Sequence, residues 1–550
     1  MKLVPTLILC ITGFCALAQP KLKFKEFDLN TDATASSSPM FFCKINNKFM
    51  FTATTSAEGI EPWVSDGTTA GTYLLKDIVP GSSTSYVNEF VPVNGNLFFV
   101  ASDANGREPW ISDGTASGTK MLKDINPGPG TSQVGMKAFY KGKMYFMATD
   151  NVSGTELWVT DGTEPGTKML KDILLGSSGS VPSWFTECNG KLFFTADDSI
   201  SGSELWVTDG TEAGTVMVKD IYNGNKGSNA IFLKAIGNTL YFSALNDLHG
   251  GYELWMSDGT EAGTKMVKDI CPYDGVSGVF GKVVEYNGKV YFQGNDGLTG
   301  KELWVTDGTA VGTILLKDIN PGSANAIPEN FCEYKDKLYF TADNGVNGKE
   351  LWVTDGTQAG TYMFKDFDTA SGMSGNPKAM TVYKNHMYFC ANKEAGDMQL
   401  WVTNGTVTGT YMIHPGSPVT YSNPTASTYE LFLNEHDSAL YFSAYFTSKG
   451  AELWSLEDTS DTPVGINTIP QNNITIYPNP SEGVFTVQLA NTNYQSGSIM
   501  VYDVTGKLVY LQEEIPQATT HKISIDAPKG VYVLKLRLDD KLLIKQLAIE

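Results

Sequence analysis

The sequence predicts an all-β protein, a β-propeller of about nine four-stranded blades followed by a small Ig-like β-sandwich. One tryptophan position recurs at intervals of 47 to 53 residues, and nine of the ten tryptophans occupy it. Each interval contains four short strand-like runs between turn-forming residues, and no run has a helical period. This period with four strands is typical of a propeller blade. The repeated tryptophans are Trp63, Trp110, Trp158, Trp206, Trp255, Trp304, Trp352, Trp401 and Trp454.

Unit seven illustrates the predicted blade. Its strand-like runs cover residues 331–334, 337–342, 350–354 and 361–367. They are rich in Tyr, Phe, Val and Thr, and Asn-Gly or Asp-Gly turns separate many such runs along the chain, as in β-hairpins. A four-stranded sheet cannot bury both of its faces alone, so we expect neighbouring sheets to pack face to face.

The two ends of the array predict how it closes. Unit nine has no fourth strand after Trp454, whereas residues 23–29 resemble the missing strand. We therefore expect the N-terminal strand to complete the last blade and to cover an edge that would otherwise be open. An open solenoid is the structural alternative, because propellers usually have about four to eight blades.

Residues 1–18 have the order of a secretory signal peptide. Lys2 precedes an apolar stretch, and Ala16-Leu17-Ala18 ends it, so cleavage after Ala18 is expected. An N-terminal membrane anchor is the alternative, but the stretch is shorter than the ~20 residues of a spanning helix. No other segment is long and apolar enough to cross a membrane, so we expect no transmembrane segment.

Charge limits the classes of partner, and the cysteine content bears on disulfide formation. The chain has 60 acidic and 40 basic residues and a formal net charge of -20, which disfavours nucleic acid and anionic membranes as partners. The cysteines outside the signal are odd in number and form no Cys-x-x-Cys pair, so we expect mostly buried, unpaired thiols. They are Cys43, Cys188, Cys271, Cys332 and Cys390.

Residues 302–309 read Glu-Leu-Trp-Val-Thr-Asp-Gly-Thr, and near copies recur through the array. This motif resembles the ELWxxDGT repeat family of secreted bacterial proteins, and the predicted propeller domain spans residues 19–456. The resemblance implies no catalytic residues. Pro62 and Pro109 depart from the motif by replacing its leucine. Gln399 and Asn404 depart from it in unit eight, which suggests that blade eight is less regular.

A linker at 457–471 and a separate domain at 472–550 follow the repeats. Seven short strands are predicted there, which favours a small β-sandwich. The motifs Tyr477-Pro478-Asn479-Pro480 and Gly530-Val531-Tyr532 resemble the type A C-terminal sorting domain of the type IX secretion system. The resemblance implies a Bacteroidetes-type cell, passage across the outer membrane and a domain removed on release or on attachment to surface lipopolysaccharide. An unrelated Ig-like adhesion module is the alternative.

The aspartate of each Asp-Gly-Thr is the first candidate for a metal-binding or catalytic role. We favour a structural role, because a carboxylate followed by glycine suits a tight turn and seven copies do not indicate one active site. The repeated tryptophans and Lys-Asp pairs are interpreted in the same way, as packing and strand-edge residues. The aspartates are Asp66, Asp113, Asp161, Asp209, Asp258, Asp307 and Asp355.

The opposite side of the propeller is predicted to carry recognition. The loops between strands two and three are acidic, and carboxylates there can bind Ca²⁺ or a cationic group, with plain solvation as the alternative. Trp184, the tryptophan outside the repeat, is predicted near the central channel, either exposed for stacking on a ligand or locally packed. The candidate ligand-binding residues are Trp184, Asp198, Asp247, Asp296 and Asp343, with Tyr86, Tyr222, Tyr273 and His249 as weaker candidates.

No convincing catalytic motif is present in the sequence, and an enzyme is not the favoured interpretation. We expect a secreted or cell-surface binding or adhesion module that recognises an extracellular glycan or protein, with no cofactor except a possible Ca²⁺. One alternative is an extracellular polysaccharide hydrolase or lyase, because carboxylate pairs assemble only in space. The other is a structural surface component.

Overall fold

The computed structural model describes residues 22–32, 35–369, 373–393, 397–413, 436, 439–447, 450–459, 474–489, 497–503, 508–512, 515, 518–538 and 541–550. Over these ranges the regular elements are all β-strands, 42 in number, and the all-β prediction is confirmed. The described residues form two compact units. One unit spans residues 24–457, and the other contains residues 458–550 together with residues 22 and 23.

The strands that precede the C-terminal sheets follow one another in a regular order. In the described part of the chain they are β1 (Leu22–Phe27), β2 (Met40–Ile45), β3 (Lys48–Thr55), β4 (Gly59–Ser65), β5 (Tyr73–Leu74), β6 (Asn88–Val93), β7 (Asn96–Asp103), β8 (Gly106–Ser112), β9 (Lys120–Met121), β10 (Lys137–Tyr140), β11 (Lys143–Thr149), β12 (Thr155–Thr160), β13 (Lys168–Lys171), β14 (Ser183–Cys188), β15 (Lys191–Asp197), β16 (Ser203–Thr208), β17 (Val216–Lys219), β18 (Ile231–Ile236), β19 (Thr239–Leu245), β20 (Tyr252–Ser257), β21 (Lys265–Lys268), β22 (Val279–Tyr286), β23 (Lys289–Gly294), β24 (Glu302–Thr306), β25 (Ile314–Lys317), β26 (Glu329–Tyr334), β27 (Lys337–Asp343), β28 (Lys349–Thr354), β29 (Tyr362–Lys365), β30 (Lys378–Tyr383), β31 (His386–Lys393), β32 (Asp397–Thr403), β33 (Thr410–Met412), β34 (Leu440–Thr447) and β35 (Gly450–Asp458).

Strands β2 to β33 form eight antiparallel four-stranded sheets, each built from four consecutive strands, an arrangement consistent with a propeller. In the seventh sheet the predicted runs match β26 to β29 closely. The fourth strand ends at Lys365, however, rather than at 367. It ends early because the Phe367 N–H donates to the Glu350 carboxylate, at 2.9 Å, instead of continuing the ladder.

A ninth sheet joins the two ends of the array. β1 pairs with β35, the strand that contains Trp454, and β35 pairs with β34. The predicted pairing of the N-terminal strand with the last repeat is therefore confirmed. The same region is tied to the first sheet by one hydrophobic cluster, which contains Phe27 of β1, Phe49 and Trp63 of the first sheet and Leu453 of the ninth.

Consecutive sheets share hydrophobic clusters across their facing surfaces. Between the sixth and seventh sheets, Leu303 and Val305 pack with Phe340 and Trp352. The alternation of a strand places Leu303 and Val305 on one face and Trp304 on the other, where Trp304 belongs to the cluster shared with the fifth sheet. Burying these faces between sheets supplies the main favourable free energy of folding.

The second unit contains two sheets around one core. Strands β36, β37 and β40 form a three-stranded sheet, and β39, β38, β41 and β42 form a four-stranded one. Tyr532, Leu534, Leu536 and Leu538 are buried, in the alternation predicted for this strand. The strands are β36 (Ile474–Tyr477), β37 (Val484–Leu489), β38 (Gly497–Asp503), β39 (Leu508–Gln512), β40 (Thr520–Ser524), β41 (Gly530–Leu538) and β42 (Lys541–Ile549).

Candidate functional site

Each repeat sheet has two ends with different chemistry. In the first seven sheets one end, here the turn end, carries the Asp-Gly-Thr loop between the third and fourth strands, and in the eighth sheet Asn404 replaces the aspartate. In the third sheet, Asp161 Oδ1 accepts hydrogen bonds from Thr163 Oγ1 at 2.7 Å and from the Thr163 N–H at 2.9 Å. These bonds lower the pKa of Asp161, the side-chain bond most strongly. The aspartate closes its own turn, as the structural interpretation predicted.

The other end, here the loop end, carries the acidic loops between the second and third strands. Asp198 Oδ1 accepts from the N–H groups of Ile200 and Ser201, at 2.9 and 2.7 Å. Asp296 Oδ1 accepts in the same way from Leu298 and Thr299, at 2.9 and 2.8 Å. One oxygen of each carboxylate therefore holds the loop together.

Asp247 and Asp343 do not occupy this position. Asn246 and Asn344 do, because an amide oxygen accepts the same backbone N–H groups as a carboxylate oxygen. Asp247 Oδ2 instead accepts from Asn223 Nδ2 at 2.8 Å, and Asp343 Oδ1 accepts from the Gly345 N–H at 2.7 Å.

The described residues do not bring a set of Ca²⁺ ligands together at the loop end. Among the described residues no group of three or more His, Cys, Asp or Glu side chains is placed to hold a metal ion. The four aspartates of the prediction belong to separate loops, and each accepts hydrogen bonds from its own loop or from an adjacent one.

Trp184 lies in the first strand of the fourth sheet and is half-buried rather than exposed. Its ring makes an edge contact with Phe232 at a centroid distance of 5.0 Å, and both residues have positive φ. The local register of β14 shifts here, which turns the ring towards the core shared by the fourth and fifth sheets. This geometry corresponds to the locally packed alternative.

An open cleft of about 270 Å³ lies instead at the loop end of the fifth and sixth sheets. It is bounded by the exit loop of the fifth sheet, by the loop between β23 and β24, and by the exit loop of the sixth sheet. Tyr273, one of the weaker candidates, is 46% exposed there. The lining residues are Tyr273, Val276, Asn295, Gly297, Gly300, Ser323 and Asn325.

The tyrosine ring lies directly over the backbone of Gly297. A Cβ atom at Gly297 would come within 2.5 Å of Tyr273 Cδ2, and Gly297 also has φ +79°. Only glycine allows this approach without moving the ring. The close fit positions one face of the cleft.

Two amide side chains of the cleft are oriented by backbone hydrogen bonds. Asn295 Oδ1 accepts from the Gly297 N–H at 2.8 Å, and Asn325 Oδ1 accepts from the Lys301 N–H at 2.9 Å. Since the oxygens are engaged, the NH₂ groups remain as donors, beside the Ser323 hydroxyl. The cleft therefore combines one aromatic ring with several neutral hydrogen-bonding groups.

His249 supports the loop that carries Tyr273. Its Nδ1 lies 3.2 Å from Asp274 Oδ1, and its Nε2 lies 3.5 Å from Asp269 Oδ2. Its carbonyl also accepts from the Gly275 N–H at 2.7 Å. We interpret His249 as a positioning residue.

The glutamate of Glu-Leu-Trp was not singled out by the sequence analysis, and it is the main structural residue at the loop end. Glu302 is completely buried. Its carboxylate accepts from the Ile319 N–H at 2.6 Å and from the Ala326 N–H at 3.1 Å, and so joins both ends of the segment that leads to the next sheet. Burial raises the pKa of Glu302 to about 7, against the lowering effect of these hydrogen bonds.

The signal for this role was present in the sequence. A charged residue recurs at one position of a strand that is otherwise apolar, where an unpaired charge is costly. In unit eight the position is taken by Gln399. The buried glutamates are Glu61, Glu108, Glu156, Glu204, Glu253, Glu302, Glu350 and Glu452.

The C-terminal unit is similar to a known family. Residues 475–550 match the family described as a secretion system C-terminal sorting domain. This match indicates export to the cell surface or the extracellular space and an interaction with the type IX secretion machinery. In the part of the chain that the structure describes, no helix has the length and apolar character needed to cross a membrane.

The repeat region resembles several solved structures only distantly. The β-propeller domain of the Trilobed protease from Pyrococcus furiosus is 14% identical, with a TM-score of 0.30 over 60% of this chain and 99% of that chain. A Listeria monocytogenes protein described as uncharacterized is 11% identical, with a TM-score of 0.32 over 57% and 90%. A puromycin hydrolase is 11% identical, with a TM-score of 0.36 over 76% of this chain and 60% of the hydrolase. No curated protein sequence matches this chain.

Proposed function

We propose that this protein is an exported glycan-binding module, in which ELWxxDGT-type repeats form a closed nine-bladed propeller that presents its loop end to the ligand. The exposed Tyr273 ring in the cleft, with oriented amides beside it, is the observation that carries the proposal. Aromatic rings stack on the apolar faces of sugars, while amide and hydroxyl groups pair with sugar hydroxyls.

The size of the cleft suggests which part of a glycan it holds. Its volume of about 270 Å³ is just below the ~300–1,000 Å³ that is typical of small-molecule sites. The cleft is open to solvent and has no charged residue in its lining. We therefore expect it to hold a terminal neutral sugar rather than an internal segment of a charged polysaccharide.

The closed ring has separate support. The ninth sheet contains the N-terminal strand, and the first and ninth sheets share a hydrophobic cluster. Closure would leave no unpaired first or last sheet face, which an open array would expose. A fixed ring would also hold the three loops of the cleft in one geometry, and this preorganisation favours binding.

The test is a glycan array with the full-length secreted protein, carried out with and without Ca²⁺. Tyr273→Ala is expected to abolish binding. Tyr362→Ala is the matched control, because Tyr362 is 45% exposed but lies in the fourth strand of the seventh sheet. Wild-type protein that binds no glycan, or equal losses in the two variants, would contradict the proposal. Release of reducing sugar from a bound glycan would favour the hydrolase alternative instead.

A further inference from the structure

Five successive sheets present one exposed aliphatic side chain at the same place. In the third to seventh sheets, the loop between the second and third strands carries a Val, Ile or Leu that is between 64% and 77% exposed. The corresponding loops of the first and second sheets, residues 56–58 and 104–105, contain no such residue. We call these five side chains the aliphatic tips. They are Val152, Ile200, Leu248, Leu298 and Val346.

Each tip is held in place by the same hydrogen bond. A side-chain oxygen two residues before the tip accepts the N–H of the tip residue itself, as in an Asx-turn. The five donor–acceptor distances lie between 2.9 and 3.0 Å. The acceptors are Asp150, Asp198, Asn246, Asp296 and Asn344. The five loops therefore share one hydrogen-bonding pattern, which holds the backbone of each tip residue so that its side chain is exposed to solvent.

The tips lie on one side of the array, because the turn end of one sheet contacts the turn end of the next, and the loop ends contact each other in the same way. At the turn ends, a lysine Nζ of the third, fourth and fifth sheets donates to a threonine carbonyl of the next sheet at 2.7 to 2.9 Å. The Tyr286 hydroxyl of the sixth sheet donates to the Asp336 carbonyl of the seventh at 2.6 Å. At the loop ends, the Ser180 N–H donates to the Glu156 carboxylate of the third sheet at 2.8 Å, and the Ser180 carbonyl accepts from the Asp197 N–H of the fourth sheet at 3.0 Å. Single exposed aliphatic residues are common, but five of them at equivalent loop positions on one side of the array make this side a candidate interaction surface.

Each loop that carries an aliphatic tip also carries negative charge. Every tip loop also carries an aspartate at or beside its anchoring position, and the whole protein has a net charge of -20. Such a surface repels anionic lipid and nucleic acid. A branched aliphatic side chain also lacks the flat ring face on which sugars stack. The complementary partner is a polypeptide that carries both aliphatic and basic side chains. The aspartates are Asp150, Asp198, Asp247, Asp296 and Asp343.

We propose that the row of aliphatic tips is a docking surface for a basic, aliphatic polypeptide segment. Burial of the tips supplies affinity, and the neighbouring carboxylates supply charge complementarity and steer the encounter. The proposal does not depend on sugar binding in the cleft. The variants that test it, at Ile200 and Val346, lie outside the residues that line the cleft.

The experiment measures binding of synthetic peptides to the full-length protein by fluorescence anisotropy. The probe alternates Leu and Lys, and the comparison peptides of equal length alternate Ser and Lys or Leu and Glu. Only the Leu-Lys peptide is expected to bind, and more weakly as salt rises. Ile200→Ser combined with Val346→Ser is expected to weaken binding about tenfold, as the loss of two partly buried aliphatic groups implies.

Val311→Ser is the matched control. Val311 is 91% exposed but lies in the loop after β24, at the turn end of the sixth sheet, so its substitution should leave peptide binding unchanged. Equal effects of the control and the double variant would overturn the proposal. So would equal binding of the Ser-Lys peptide, or phosphatidylglycerol vesicles that bind the wild type and not the double variant.

A second variant separates charge from loop structure. Asp198→Asn keeps an oxygen that can accept the Ile200 N–H, as Asn246 and Asn344 do in their own loops. It is expected to weaken Leu-Lys binding several-fold at low salt and to have no effect at high salt. Unchanged binding at low salt would overturn the requirement for a basic partner.

Discussion

The buried glutamates are the residues whose chemistry most affects the folded state. Burial raises the pKa of Glu61, Glu108, Glu253, Glu302 and Glu350 to about 7, from an ordinary value of 4.5. Between these two values the folded protein binds more protons than the unfolded chain does. The free energy of unfolding therefore falls as pH rises through this window.

We expect wild-type protein to resist urea better near pH 5 than near pH 8. Glu302→Gln should reduce this difference because the site no longer ionises. Glutamine already occupies the equivalent position in unit eight, at Gln399. One pKa unit corresponds to about 1.4 kcal/mol, so a single glutamate accounts for a few kcal/mol at most. The measurement is the urea midpoint at several pH values. Glu285→Gln, at an exposed position, is the control, and an equal change in both variants would refute the assignment.

Residue-scale prediction from the sequence succeeded where the relevant contacts are local. The Asp-Gly-Thr turn closes within three residues, so residue types alone indicated it. The glutamate contacts 17 and 24 residues away, as in Glu302 to Ile319 and Ala326, were not inferred from the repeat. The cleft around Tyr273 combines three separate loops, which the sequence does not place together. The sequence pointed instead to Trp184, because it is the tryptophan outside the repeat.

At the scale of elements, β1 is the strand on which the ends of the array depend. Phe27 is 1% exposed and lies in the cluster shared by the first and ninth sheets. The same cluster contains Phe49 and Tyr441, whose ring centroids lie 4.6 Å from each other. Phe27 is the fully buried residue of this six-residue strand, so its ring is an apolar anchor for β1.

Phe27→Ala is expected to lower stability by about 3–5 kcal/mol, the usual cost of truncating a buried Phe. It should also increase aggregation, because loss of β1 uncovers the edge of β35. Urea unfolding and light scattering of the purified protein measure the two effects. Phe139→Ala, at a ring that is 42% exposed, should change neither. Unaltered behaviour of Phe27→Ala would mean that the array does not depend on β1.

Element boundaries were predictable because hydrophobic alternation and turn residues act locally. The four strands of unit seven agree with the sequence expectation to within two residues at every end, and the described residues of the C-terminal unit contain the seven strands that were expected. The two-residue difference at residues 366–367 arises from the Glu350 carboxylate, which is distant in sequence and accepts the Phe367 N–H. The one-residue difference between Asp247 or Asp343 and their structural equivalents has a different, local origin, because Asn246 and Asn344 serve as loop acceptors as well as an aspartate does.

At the scale of the whole molecule, the C-terminal unit directs the repeats to the outside of the cell. It has its own core, which includes Phe485, Ile499, Leu534 and Leu547. The match at residues 475–550 assigns this unit to export. The predicted signal peptide at 1–18 and residues 460–471 of the linker predicted at 457–471 lie outside the described residues. Cleavage after Ala18 and removal of the C-terminal domain stay predictions.

Truncation after residue 457 is expected to keep the repeat protein inside the outer membrane of a host with a type IX secretion system. The full chain should reach the surface or the medium of the same host. Immunoblots of cell fractions and medium measure the distribution. Tyr273→Ala in the full chain is the control and should be exported normally, because it changes only the cleft. Equal export of the truncated chain would show that the C-terminal unit is not needed.

The sequence by itself determined the strand content, the repeat, the pairing of the two ends and the export domain, because these depend on local periodicity and on motifs read in order along the chain. Only the tertiary structure decided which side chains meet: the buried glutamates with the segments that join the sheets, Tyr273 with Gly297, and the aliphatic tips along one side. These contacts depend on how loops from different repeats converge. Convergence of that kind is set by packing between sheets, which a pattern along one chain does not specify.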